Sequence, residues 1–228
     1  ALGTAVRELL QIVVIDLEAT EDAQEIFETL NARGAALTSA DLIKNFVFQR
    51  LQESSTDVEN AYESYWKDFE SPFWEESVNY GKFNLQRTSL FIYQWLVSKT
   101  GEEILMREVF SRFKHFADYE SQKPMLTLLQ EMHVCATHYA KLMVEADSED
   151  GEISEIAMFS YRLRCLELDV LRPILVTLID PTEAPISKEQ ASKATNSLES
   201  WVVRRLVCGL SNKNYNKLVP EIINLIRD

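Results

Sequence analysis

From residue 22 to the end of the chain, apolar side chains recur every three or four positions, the spacing that gives a helix one face to bury. Before that, QIVVIDLE at residues 11–18 is short and β-branched and predicts a strand, nearly the only one in the chain. One strand makes no sheet, so its partners would lie upstream or be marginal and local. The next stretch, IFETLNARGAALTSADLIKNFVFQRL at residues 26–51, predicts helix, turn and helix. Ile26, Phe27 and Leu30 share a face of the first helix, and Gly34 stands just past its end, where a left-handed residue is expected. Thr38 predicts the cap of the second helix, with Asp41 three residues on as a short capping box. Leu42, Ile43, Phe46, Val47 and Leu51 supply its buried stripe.

Residues 54–57 break that helix and cap another carrying Tyr62, Tyr65, Trp66 and Phe69, after which 71–84 reads as an aromatic-rich loop. Residues 85–98, with LFIYQWLV, are apolar all round and predict a central helix ended by Gly101. Further helices are predicted at 103–116, 124–146 and 153–168, with 170–179 either continuing the last of these through a kink at Pro173 or forming a new helix that Pro173 opens. Ser187 and Gln190 form a second capping-box signature, starting a helix that carries Leu198, Trp201, Val202, Arg205 and Leu206 and stops at Gly209. A last helix runs to residue 226. The fold class expected is all-α: an irregular array of about nine or ten helices with one short N-terminal strand.

Composition narrows the chemistry. The 228 residues hold 36 acidic against 23 basic side chains, a net charge of −13, which argues against a surface given over wholly to nucleic acid. Any such contact must come from a local patch. Cys135, Cys165 and Cys208 are odd in number, far apart and set in apolar helical sequence, so they read as small buried residues of a reducing, cytoplasmic protein. No leader pattern and no membrane-spanning run is evident. The six glycines stand apart from one another, which excludes a P-loop or dinucleotide fingerprint. His133 and His138 are five apart and fall on different helix faces, and His115 reads as a boundary residue. The acidic run at 147–152 lacks the spacing of a calcium loop. No self-sufficient catalytic set and no metal site is expected.

Two stretches carry a family resemblance. IFETLNARGAALTSADLIKNFVF, through Phe27, Leu30, Asn31, Gly34, Leu37, Asp41, Leu42 and Asn45, resembles the GmrSD-like family of modification-dependent restriction proteins. SLESWVVRRLVCGLSNKNYNKL, through Trp201, Arg204, Arg205 and Gly209, resembles it more weakly. The resemblance implies an upstream ParB/sulfiredoxin-like domain that binds and hydrolyses nucleoside triphosphates, a helical region, and in many members an HNH-type nuclease. Neither the family's DGQQR segment nor its histidine-rich nuclease motif occurs in this sequence. The chain thus reads as a piece of a larger protein, with 1–53 as the end of the ParB-like domain plus corner helices and 54–228 as a helical domain. Nucleotide and divalent metal are expected only in the missing domains.

For the Asn-x-Arg-Gly corner two readings stand. Asn31 and the guanidinium fork of Arg33, beside a helix N-terminus, suit a phosphate. Alternatively Asn31 and Gly34 build a structural corner, with Thr38 and Asp41 satisfying the helix end. Charge adds a second hint: residues 31–50 hold Arg33, Lys44 and Arg50 against Asp41, and residues 201–228 hold five basic against two acidic residues. The candidate phosphate or DNA contacts are therefore Asn31, Arg33, Lys44, Arg204, Arg205 and Lys213, with one of Arg204 and Arg205 expected to pair inward with a carboxylate. The expected partners are DNA, bound weakly, and adjacent domains. The competing reading is a protein interaction scaffold presenting Trp66, Phe73, Trp74 and Tyr80, for which exposure of Trp74 is the discriminating observation.

Overall fold

The structure, a computed structural model, describes residues 37–149, 152–183 and 186–227. The chain divides between Leu37 and Thr38, and the second unit is the one considered below. It is essentially all-α. The α-helices are α1 (Ser39–Glu53), α2 (Val58–Tyr65), α3 (Pro72–Glu75), α4 (Arg87–Thr100), α5 (Val109–His115), α6 (Met125–Ala146), α7 (Glu155–Cys165), α8 (Arg172–Ile179), α9 (Lys188–Val207) and α10 (Tyr215–Arg227). Between α3 and α4 lies an antiparallel hairpin, β1 (Ser77–Tyr80) and β2 (Phe83–Gln86). The strand expected at 11–18 lies outside the described residues.

Helix α4 is the axis of the fold. Every residue from Thr88 to Lys99 is buried, so α4 has no solvated face and must be covered on all sides. Helices α1, α5, α8 and α10 and the hairpin do this. Phe91 meets the rings of Tyr139 at 5.1 Å and Trp74 at 5.2 Å, while Trp95 meets Phe113 at 6.2 Å and Phe116 at 6.1 Å. Each such fully buried side chain contributes about 1.5–3 kcal/mol of transfer free energy. At its carboxyl end α4 stops at Gly101, whose φ of +63° is left-handed. A Cβ there would lie 1.9 Å from Asn224 Oδ1, so the position needs glycine on two counts. Asn224 donates to the Gly101 carbonyl at 3.1 Å and Arg227 to the Lys99 carbonyl at 2.8 Å, so α10 satisfies the open end of α4.

Both predicted capping boxes form. Thr38 N donates to Asp41 Oδ2 at 2.9 Å and Asp41 N to Thr38 Oγ1 at 3.2 Å. Ser187 and Gln190 repeat the exchange at the start of α9. Pro173 opens α8 rather than kinking a longer helix.

Three expectations change. Residues 71–84 are not a loop but a short helix and most of a hairpin, in which Val78, Tyr80, Phe83 and Leu85 share one face and Gly81 turns the chain at φ +55°. The helix carrying Tyr62 ends at Tyr65, and Phe69 sits in a separate 3₁₀ turn. Of the cysteines only Cys135 is buried; Cys165 and Cys208 are exposed because each lies at the solvated end of its helix.

Candidate nucleic-acid interface

The sequence-predicted residues separate into groups. Phe27, Asn31, Arg33 and Gly34 lie outside the described residues. Lys44, on α1, forms an ion pair with Glu70 and stands 5.0 Å over the Tyr62 ring, and Glu70 accepts a further bond from Tyr62 at 2.6 Å. Arg50, on the same helix, holds Asp118 through two contacts at 3.0 and 3.1 Å. The basic residues of α1 are therefore committed to structure.

The C-terminal group behaves differently. Arg205 turns inward as expected of one of the pair, but no carboxylate among the described residues receives it. Its guanidinium lies 5.1 Å from the Trp201 ring and 5.6 Å from Tyr215, and it donates to the Ser211 carbonyl at 2.8 Å. Aromatic faces replace the expected acid as its counterpart. Arg205 thereby pins the link between α9 and α10, in which Gly209 takes φ +67°. Arg204 is exposed and makes no ion pair among the described residues. Lys213, in the pinned link, is likewise exposed and reaches a cleft.

That cleft, of about 930 Å³, lies between the hairpin, the end of α6, α7, the start of α8 and the α9–α10 link. Sequence reasoning had named only Lys213 among its cations; Lys82, Arg87, Arg164 and Arg172 also line it. Three of these are paired: Arg87 with Glu76, Arg164 with Asp147 and Arg172 with Asp169. Lys82 and Lys213 have no carboxylate partner among the described residues, and Glu167 is the remaining acid on the wall. Arg172 is buried, donating through Nη1 to Ser160 Oγ at 2.8 Å and through Nε to Asp169, while Nη2 carries no hydrogen bond among the described residues. Such a wall can hold an anion by two free ammonium groups and one fixed guanidinium. Lys44 and Arg204 are not on it. A usable signal for Arg172 was present: a charge inside the apolar run DVLRPILV, with Asp169 three residues before it, marks a buried pair.

The aromatic surface required by the scaffold reading is not there. Trp74 is 5% exposed and packs on Phe91, Phe69 and Tyr139, Trp66 is 2% exposed, and Phe73 and Tyr80 are half-buried. Burial also pushes the Tyr80 hydroxyl well above the ordinary phenol range and raises that of Tyr93, as expected of rings packed against the core.

Elsewhere, Lys99 is a buried ammonium held by Asp180 at 2.9 Å and Glu183 at 2.7 Å; burial opposes its charge, yet the two carboxylates outweigh that and raise its pKa. Among the described residues no group of three or more His, Cys, Asp or Glu is placed to hold a metal ion, and no helix is long and apolar enough to cross a membrane.

No curated protein and no solved structure matches the chain. Residues 2–48 match the family described as GmrSD restriction endonuclease, N-terminal domain, and the matched segment runs into α1 as far as Phe48, through Thr38, Asp41 and Lys44. That match ties residues 2–48 to a GmrSD-like restriction family.

Proposed function

We propose that the helical body is the coupling region of a GmrSD-like restriction or phage-defence protein of the cytoplasm, linking nucleotide engagement upstream to a downstream nuclease. In this reading it is non-catalytic alone, nucleotide and divalent metal act in other domains, and its own contact is with DNA phosphates. The observation that carries the DNA contact is the cleft on which Lys82 and Lys213 stand, without carboxylate partners among the described residues, beside Arg172. Support for coupling comes from α1, which begins inside the family match and packs against α2, α4, α5 and α6. A shift of α1 would thus press directly on the core.

With a net charge of −13, binding should be weak, with Kd on the order of 10–100 µM at physiological salt, and should fall steeply as salt rises. Titration of labelled DNA at several salt concentrations tests the contact; affinity that ignores salt would remove the phosphate reading. A nucleotide-turnover assay on the purified chain tests the rest, since robust hydrolysis would overturn the non-catalytic assignment.

A further inference from the structure

Two of the cleft's aromatic rings are not spent on the core. Phe83, from β2, is 40% exposed with Lys82 Nζ 5.3 Å from its centroid, and Tyr161, from α7, is 42% exposed with the Arg164 guanidinium 5.5 Å away. Most aromatics of this body are buried, so two exposed rings from separate elements on one cleft call for a use. Each already stands beside a cation, and Lys213 and Arg172 lie along the same wall.

Exposed rings alternating with cations are how a single strand is gripped: bases stack on the rings while phosphates meet the positive groups. A duplex suits the cleft poorly. Its base faces are already stacked and cannot reach Phe83 or Tyr161, and its second strand would meet Glu76, Asp147 and Glu167 on the wall. We infer that the cleft holds a single-stranded stretch of DNA, with bases on Phe83 and Tyr161 and phosphates at Lys82, Lys213 and Arg172. This rests on reading the cleft as a DNA-contact surface and adds the form of DNA it takes.

The test is fluorescence anisotropy on the whole chain with a labelled oligo(dT) of about 12 nucleotides, a duplex of equal length and an oligo(rU). The expected result is oligo(dT) bound at least tenfold more tightly than duplex, with Phe83→Leu and Tyr161→Leu each weakening oligo(dT) by roughly tenfold and leaving duplex binding unchanged. Both side chains are exposed, so the variants should fold, and circular dichroism checks this. Duplex bound as tightly as oligo(dT), with neither variant having an effect, overturns the single-strand inference while the DNA-contact reading survives. No binding to either DNA overturns both. Tighter binding of oligo(rU) than oligo(dT) assigns the cleft to RNA and overturns the inference as stated.

Discussion

Lys44 and Arg50 on α1 meet Glu70, Glu53 and Asp118, whereas Arg204 and Lys213 near the other end of the chain meet no carboxylate among the described residues. Both segments are locally basic in an acidic protein, and in the sequence they look alike. The acids that neutralise Lys44 and Arg50 are mostly distant, 26 residues away for Glu70 and 68 for Asp118. A local charge count therefore cannot tell a spent cation from a free one. Only the fold decides which acids arrive, and here it delivers them to α1 and leaves the α9–α10 link unneutralised.

The sharpest way to break that comparison is at a cation that is both spent and on the cleft. Arg172→Met removes a buried guanidinium from Asp169 and Ser160 and should cost about 3 kcal/mol in urea denaturation, as truncating one side of a buried pair does. Stability within error of the parent would mean that Arg172 is held for binding alone. Next comes Arg205→Ala, which deletes the guanidinium between Trp201 and Tyr215 and should cost about 2 kcal/mol, while Arg204→Ala should leave the melting temperature unchanged. Equal losses from the two would erase the distinction drawn between neighbours.

A smaller effect, read in binding rather than stability, should follow the double change Lys82→Glu and Lys213→Glu. DNA affinity should fall about tenfold and the slope of log K against log salt should flatten by about two, since two phosphate contacts go. Lys44→Gln is the control: it should cost less than about 1 kcal/mol and leave DNA affinity alone. Should Lys44→Gln weaken DNA as much as the double change, the contrast between the segments fails.

The smallest expected effect is in acid. Hydrogen bonds from Lys44, and then from Tyr62, hold the Glu70 carboxyl below its ordinary value of 4.5. A carboxyl lowered in the folded state contributes stability above that value, lost as pH falls through the folded pKa. Thermal melts below pH 4.5 should therefore drop less in Lys44→Gln than in the parent. An identical drop would show that the Glu70 pair adds nothing.

Much of the helical frame was legible because its signals are local. The Thr38–Asp41 and Ser187–Gln190 exchanges, the all-apolar stretch of α4 and the glycine after it need only neighbouring residues to be read. The hairpin was not legible, since four-residue strands give too little alternation and their aromatic residues blend with the Pro-Phe-Trp run before them. Cys165 and Cys208 were misjudged for a related reason: an apolar neighbourhood in sequence does not say where a helix end protrudes. Of the cleft's cations only Lys213 was named, because its wall is assembled from separate segments that no sequence window holds together.

The clasp of α10 on the end of α4 has a consequence for the order of folding. The bonds from Asn224 to Gly101 and from Arg227 to Lys99 join residues 123 and 128 positions apart. During synthesis α4, buried without a break from Thr88 to Lys99, is complete well over a hundred residues before the groups that close its carboxyl end have emerged. For that interval α4 is a hydrophobic rod with one end unfastened, the kind of segment on which a chaperone acts and from which a stalled chain aggregates.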